Sequence, residues 1–370
     1  MNVQRILVPG STRRSWLVLG DDFLPVAPIQ AFLAFQRDLG RSPNTVRAHA
    51  FHLKAFWEYL RDTGVGWEAV DVAYLAGFIP WLRCGPAPPA LGAEAAPPRR
   101  GDATIDLMLT SVHQFYDFHA RRHTGPDLPL YRFVTLARRQ YKPFLYGLAK
   151  TRPDRRRVVR VKRPQHLPRT LTAAQVQALL DACARRRDRL LVALLHDTGM
   201  RIGQALGLRH ADIAVEDNAI RIVPRDDNAN GARAKTDEAY TVFPAPAVLD
   251  LYVEYIVEEL DGLAAAALPE YVFVNLWEGA VGRPLTYATV VALFRRLSAK
   301  VGFHARPHML RHTRATTWIR DDRLPIPTVA RLLGHRSAQT TSDLYLHLTA
   351  DDLRAELDAA RAGESGADER

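Results

Sequence analysis

Side chains suited to attack on a phosphodiester are concentrated in residues 306–348. His308 and Arg311 are three residues apart, and Tyr345 follows His335 by ten residues. The guanidinium group of an arginine stays charged and pairs with phosphate oxygens through two parallel hydrogen bonds. A tyrosine hydroxyl can attack phosphorus, although its ordinary pKa of ~10 means that neighbouring cations or a base must help to remove the proton. Together these four side chains could cleave a phosphodiester without a metal ion.

Metal-dependent alternatives fit the sequence poorly. His308 and His312 could form a zinc pair on one face of a helix, but a metalloprotease helix has glutamate directly after the first histidine. This chain has Met309 there and Arg311 between the two histidines. We therefore predict no metal or other cofactor, and we expect His312 to have a structural role. The pairs of adjacent aspartates are predicted to lie in a loop, at a helix end and at a helix start, so they are not expected to converge: 226–227, 321–322 and 351–352.

The charge distribution indicates a polyanionic partner. The 370 residues carry a formal net charge of +10 and a pI near 9.8, a balance that favours nucleic acid. Residues 151–170 contain eight Arg/Lys and one acid, and three prolines make one regular helix unfavourable there. An extended basic strip of this kind suits a phosphate backbone. The residues predicted to contact DNA are Arg47 and Lys54 on the polar side of a helix and, in the strip, Arg155, Arg156, Arg157, Arg160, Lys162 and Arg163.

Hydrophobic spacing predicts a mainly α fold with a small antiparallel β-sheet. Ser42 and Pro43 open a helix whose apolar residues recur every three or four positions, and Gly64 ends it. Residues 1–25 are weakly patterned and are expected to form a short strand or a packed arm. The length suits two domains. The predicted parts are a helical DNA-binding domain at 1–150, a basic linker at 151–169, a second domain with the candidate residues at 170–362 and a disordered tail at 363–370.

The predicted β-sheet includes strands at 220–223 and 240–243. The segment between them contains Asn230-Gly231, a turn signal, and Lys235 lies in the second arm of this hairpin. A Pro/Ala/Gly-rich loop at 84–101 is expected to be mobile.

No targeting or membrane segment is expected. The chain has only Cys84 and Cys183, which give neither a disulfide framework nor a metal-binding spacing. No apolar run reaches the ~18–20 residues needed to span a bilayer, and the N-terminus does not resemble a signal peptide. We therefore expect a protein of the reducing cytoplasm, associated with the nucleoid when bound to DNA.

Several short motifs in one order resemble those of the tyrosine recombinases, also called the phage integrase family. The resemblance covers roughly residues 170–348. It comprises TGMRIG at 198–203, Lys235 between two strands, HMLRHT at 308–313, LLGH at 332–335 and TTSDLY at 340–345. It implies an N-terminal helical core-binding domain and a mixed α/β catalytic domain that clamp double-stranded DNA.

The resemblance also implies a role for each of six residues. Tyr345 would be the nucleophile that forms a 3′-phosphotyrosyl link, and no ATP or metal would be required. Arg201 and Arg311 would clamp the scissile phosphate, and His335 would donate a hydrogen bond to it. His308 would assist proton transfer, and Lys235 would protonate the leaving 5′ oxygen. Strand exchange would use a homo-oligomer on DNA, expected to be a tetramer, with accessory DNA-bending proteins as possible partners.

Three features depart from the commonest family pattern. Gln204 stands three residues after Arg201, where an acidic residue is common. The gap of ten residues between His335 and Tyr345 is one longer than usual. This gap and the HMLRHT motif together resemble those of integrases encoded by transposons. Lys235 lacks the usual basic residues after it, and Arg233 is an alternative to it.

Two other functions remain open on the sequence. One is a catalytically silent DNA-binding protein of the same fold, which predicts loss of at least one of the six residues, whereas all six are present. The other is a type IB topoisomerase-like activity, with the same chemistry but no pairing of sites. A helix at 350–360, with Leu353 and Leu357 on one face, could dock on a neighbouring protomer or pack within its own chain.

Overall fold

The chain folds into two compact units, 1–165 and 166–370. The computed structural model describes residues 1–7, 14–86, 98–134, 154–161, 169–236, 238–263, 268–277, 280–335 and 341. Predictions for Tyr345, the helix at 350–360 and the C-terminal tail lie outside the described residues, as do those for Lys162 and Arg163. Among the described helices, none is long and apolar enough to cross a membrane.

The described part of the N-terminal unit has four α-helices, which follow a β-hairpin. The weakly patterned N-terminus forms this hairpin, in which Asn2 pairs with Leu19 and Leu7 with Arg14. The second helix has the predicted boundaries, because the Ser42 hydroxyl caps its first turn and Gly64 ends it in the left-handed conformation. The elements are β1 Asn2–Leu7, β2 Arg14–Leu19, α1 Ala27–Asp38, α2 Pro43–Thr63, α3 Val72–Cys84 and α4 Asp102–Arg121.

Part of the predicted basic linker belongs to this first unit. Strand β3, Tyr131–Val134, pairs antiparallel with β4, Asp154–Arg157. Val159 is buried in the core of the N-terminal helices. The unit therefore extends beyond the boundary predicted at residue 150. The physical reason is that carboxylates on α4 bind arginines of β4, a pairing between distant segments that the local charge pattern does not reveal.

The second unit combines helices with a three-stranded antiparallel sheet, whose strands β5, Ile213–Ala214, β6, Ala219–Ile222, and β7, Tyr240–Val242, lie side by side in sequence order. This agrees with the predicted mainly helical fold class. Helix α6, Arg186–Thr198, is the central element and packs against α8, Pro246–Tyr255, and α10, Pro307–Arg320. The elements are α5 Ala173–Ala182, α6 Arg186–Thr198, α7 Ile202–Ala205, β5 Ile213–Ala214, β6 Ala219–Ile222, β7 Tyr240–Val242, α8 Pro246–Tyr255, α9 Tyr287–Val301, α10 Pro307–Arg320 and α11 Ile326–Leu332.

A small apolar cluster joins α10 to α11. It consists of Ala315, Trp318, Val329 and Leu333, all of them buried. Because α10 carries His308 and Arg311 while α11 leads directly into His335, this cluster fixes the two candidate motifs relative to each other.

Candidate functional site

The first arginine lies where α6 ends and α7 begins. Gly199 closes α6 with φ 61°, a left-handed conformation that glycine adopts without strain. Arg201 is the N-cap of α7, and its backbone N–H donates to Oε1 of Gln204 at 2.7 Å. One guanidinium nitrogen of Arg201 donates to the carbonyl oxygen of Leu333 at 3.4 Å.

The second arginine is bound from several sides. Arg311 is 2% exposed, which is unusual for a charged side chain. Its Nη1 donates to the Gly199 carbonyl at 2.8 Å, and its Nη2 donates to the Leu333 carbonyl at 2.8 Å. The same Nη2 lies 2.9 Å from Nε2 of His335. Since Arg201 and Arg311 share the Leu333 carbonyl, the two guanidinium groups converge beside His335.

A Schellman motif positions His335. The N–H of Gly334 donates to the carbonyl of Arg331 at 2.9 Å, and the N–H of His335 donates to the carbonyl of Ala330 at 2.8 Å. These two bonds close the end of α11 and require a left-handed residue, which Gly334 supplies with φ 61°. The imidazole Nδ1 lies 2.8 Å from the hydroxyl of Thr341.

Both His335 and His308 favour the neutral form. Burial and the charges of Arg311 and Arg201 lower the pKa of His335 to about 4. Burial also lowers the pKa of His308, and the charges of Arg311, Arg201 and Lys235 lower it further. The positive charge of Lys235 therefore acts on the same region as the two arginines.

His312 packs beneath His308. The ring centroids are 4.3 Å apart in an edge-to-face arrangement. Burial, followed by the charges of His308 and Arg311, lowers the pKa of His312 to about 4. Among the described residues no group of three His, Cys, Asp or Glu could hold a metal ion.

Sequence reasoning missed Tyr240 and Thr341. The Tyr240 hydroxyl accepts a hydrogen bond from Nε2 of Gln204 at 2.9 Å, and its ring lies against Gly334. Gln204 thus binds the backbone of Arg201 with one end and Tyr240 with the other. Thr341 is completely buried. Neither residue type signals a role at the site: Tyr240 bonds to Gln204, which is 36 residues earlier, and Thr341 lies within the TTSDLY motif, six residues after His335.

The predicted DNA-contacting residues are distributed over α2 and β4. Lys54 pairs with Glu58 at 2.7 Å, and Arg47 lies over the ring of Phe51 with 5.4 Å to its centroid. The predicted strip is partly folded into the β3–β4 ribbon, and its described members differ in environment. Arg155 binds Asp117 at 3.2 Å and stacks on the ring of Tyr131 at 3.6 Å. Arg157 binds Asp106 at 2.9 Å. Arg156 lies opposite Arg132 in the β-ladder, and Arg160 is exposed.

Comparison with known proteins identifies the family. The profile of the phage integrase family matches residues 169–352, and that of the phage integrase N-terminal SAM-like domain matches residues 29–123. Transposase A from transposon Tn554 of Staphylococcus aureus is 33% identical over 362 residues, which cover 96% of this chain and 97% of the relative. This chain belongs to the phage integrase family. The resemblance drawn from its motifs is thereby confirmed.

Other tyrosine recombinases match this phage integrase family member across most of its length. Tyrosine recombinase XerA of Saccharolobus solfataricus is 29% identical over 294 residues, covering 72% of this chain and 89% of the relative. The integrase of transposon Tn1549 in complex with transposon right end DNA shares the fold, with a TM-score of 0.61 at 17% identity and coverage of 90% of this chain and 99% of that chain. XerH recombinase bound to difH, in its pre-cleavage complex, has a TM-score of 0.54 at 19% identity, with coverage of 85% and 79%.

Proposed function

We propose that this phage integrase family member is a site-specific recombinase that cuts and rejoins double-stranded DNA through a 3′-phosphotyrosyl intermediate. The observation that carries the proposal is the shared Leu333 carbonyl, which receives hydrogen bonds from both Arg201 and Arg311. Two guanidinium groups that converge beside a histidine form a site for one phosphate. No ATP is needed, because the covalent link retains the energy of the broken bond.

The cleavage step exchanges one phosphoester for another. The Tyr345 oxygen forms a bond to phosphorus and gives up its proton to the imidazole of His308, while the bond from phosphorus to the 5′ oxygen breaks. Arg201, Arg311 and His335 stabilise the charge on the non-bridging oxygens. Lys235 protonates the departing 5′ oxygen, and His308 assists the proton transfer. The attack of a 5′ hydroxyl from a partner strand then reverses these steps. In this chemistry the cations take the place of a metal ion.

The environment of Lys235 supports its role over that of Arg233. Arg233 forms an ion pair with the exposed side chain of Asp226 at 2.8 Å. The charge of Lys235 instead lowers the pKa of His308. An ammonium group is also the better proton donor, since a guanidinium does not lose its proton in proteins.

The relatives support a role in moving a genetic element. The Tn554 relative is named a transposase, and the Tn1549 integrase was solved on the DNA of its transposon end. We assign integration and excision of a mobile element to this chain, with double-stranded DNA as substrate and a tetramer as the assembly that joins two sites. We also propose that accessory DNA-bending proteins are partners, and that the segment with Leu353 and Leu357 docks on a neighbouring protomer.

The N-terminal unit is assigned the core-binding role. Among the described residues that were predicted to contact DNA, Arg47 and Arg160 are the clearest candidates for phosphate contacts, because both are exposed and no ion pair joins either of them to another described residue. Lys54 would first have to leave Glu58.

The proposal is tested by cleavage of nicked duplexes that carry the ends of the element that encodes the chain. In EDTA, the wild type should release the strand with a free 5′ hydroxyl. Arg201→Lys should cleave at least ~10²–10³-fold more slowly, the loss typical of one preorganised donor, while it still binds the DNA.

Arg314→Lys is the matched control. Arg314 lies one turn from Arg311 on α10, but its Nε donates to the carbonyl of Asp197 and its guanidinium stacks on Trp318. This variant should cleave at nearly the wild-type rate. If the wild type binds the duplex and releases no strand, the chain is a DNA-binding protein without the chemistry.

A further inference from the structure

The hydrogen bonds of His335 define which nitrogen carries the proton. Arginine has five N–H donors and no acceptor. Nη2 of Arg311 therefore donates across the 2.9 Å to Nε2 of His335, which must present a lone pair. In the neutral ring the proton is then on Nδ1, which donates to the Thr341 hydroxyl at 2.8 Å.

A bound phosphate requires Nε2 of His335 to donate a hydrogen bond instead of accepting one. Non-bridging phosphate oxygens only accept hydrogen bonds, so Nε2 has to carry a proton in order to bind one. The ring could gain a second proton or exchange its tautomer. Burial and the neighbouring arginines oppose the imidazolium form. The tautomer exchange leaves the charge unchanged: Nδ1 loses a proton to water and Nε2 takes one up.

We propose that Thr341 is the positioning residue that makes this exchange possible, with its hydroxyl accepting from Nδ1 before DNA binds and donating to Nδ1 afterwards. A hydroxyl can serve in both directions because it has one donor and two acceptor sites. This inference rests on the proposed function, since it assumes that His335 binds the scissile phosphate.

Among the described residues, the Thr341 hydroxyl is the partner that the structure gives to Nδ1 of His335. The side chain of Thr341 is completely buried, and the bond to Nδ1 fixes the ring on the side away from Arg311. His335 is partly buried, and a polar group that loses its hydrogen-bond partner away from water costs ~1–3 kcal/mol. Thr341 is also four residues before Tyr345, so His335 is bound to the segment that carries the nucleophile.

Two substitutions of Thr341 separate the effect of its hydroxyl group from the effect of its side-chain shape. Thr341→Val keeps the volume and removes the hydroxyl, whereas Thr341→Ser keeps the hydroxyl. On nicked duplexes, Thr341→Val should form the covalent adduct 10–100-fold more slowly, as is typical when a residue that orients a functional histidine is lost. Thr341→Ser should restore most of the rate, and the DNA affinity of both variants should match that of the wild type.

The second measurement is independent of whether Thr341→Val folds. The full chain with ¹⁵N-labelled histidine is recorded by NMR, alone and on uncleavable Tyr345→Phe complexes, and the signal of His335 is assigned by its loss in His335→Gln. We expect a proton on Nδ1 without DNA and on Nε2 with DNA.

The outcomes distinguish this role from the proposed function. Wild-type cleavage with an equal rate in Thr341→Val overturns the role of Thr341 alone. An imidazolium, or a proton that stays on Nδ1, in the DNA complex overturns the tautomer exchange. If the wild type forms no adduct at all, the proposed function fails, and the role of Thr341 fails with it.

Discussion

Gly334 shows how one residue can control the geometry of the candidate site. It closes α11 in the left-handed conformation and places His335 one residue later. A Cβ atom at this position would lie 2.7–2.8 Å from two ring carbons and the hydroxyl oxygen of Tyr240. The phenol group is held by Gln204, so it has little freedom to move away. Any larger residue must therefore displace either the ring or the backbone that carries His335.

Replacing Gly334 with alanine tests this constraint. Gly334→Ala should lose ~1–2 kcal/mol of stability through the left-handed backbone and at least tenfold in cleavage rate through the clash. Gly302→Ala is the matched control, because Gly302 also ends a helix, with φ 76°, and nothing lies within 4 Å of an added Cβ. It should lose similar stability but cleave normally. Equal cleavage rates for the two variants would exclude the clash as a determinant of activity.

At the level of elements, the β3–β4 ribbon is attached to α4 by arginine. Nη2 of Arg157 binds Asp106 at 2.9 Å, and its Nη1 donates to the Thr110 hydroxyl at 2.7 Å. The Asp106 side chain is 9% exposed and that of Arg157 is 25% exposed, so this ion pair is shielded from water. A shielded, hydrogen-bonded pair contributes more than an exposed one. Arg157 therefore contributes to folding, whatever its contact with DNA.

Substitutions of two arginines should separate folding from DNA binding. Arg157→Ala leaves the carboxylate of Asp106 without this partner and should lower the protection of α4 and β4 amides against hydrogen exchange by ~1–3 kcal/mol. Arg160→Ala, at an exposed position, should leave protection unchanged and lower the slope of log K against log salt for DNA binding by about 1. Unchanged protection in Arg157→Ala would contradict the anchoring role.

The helices were more predictable from the sequence than the ribbon. Apolar spacing and the end signals Ser42 and Gly64 are local, so the boundaries of α2 followed from the residues alone. The partners of β4 are carboxylates on α4, and no local pattern connects the two segments. The motifs of the candidate site could also be recognised from the sequence. The contacts of Tyr240 with Gln204 and of Thr341 with His335 could not, because they form only in the folded chain.

At the scale of the whole molecule, a net charge of +10 and two compact units fit a protein that holds DNA. The chain belongs to a family whose matched profiles cover both units. The described residues of the second unit provide two converging arginines, a neutral histidine and the charge of Lys235. We propose that Tyr345 is the nucleophile that attacks a phosphate held by these residues.

The most direct measurement of that claim is covalent trapping. Wild type and Tyr345→Phe are incubated in EDTA with nicked duplexes from the ends of the element that encodes the chain, and the products are separated under denaturing conditions. The account predicts a protein–DNA band for the wild type alone, with the nucleotide attached to the peptide that contains Tyr345 in mass spectrometry. A band from Tyr345→Phe, or a nucleotide on another residue, would contradict it.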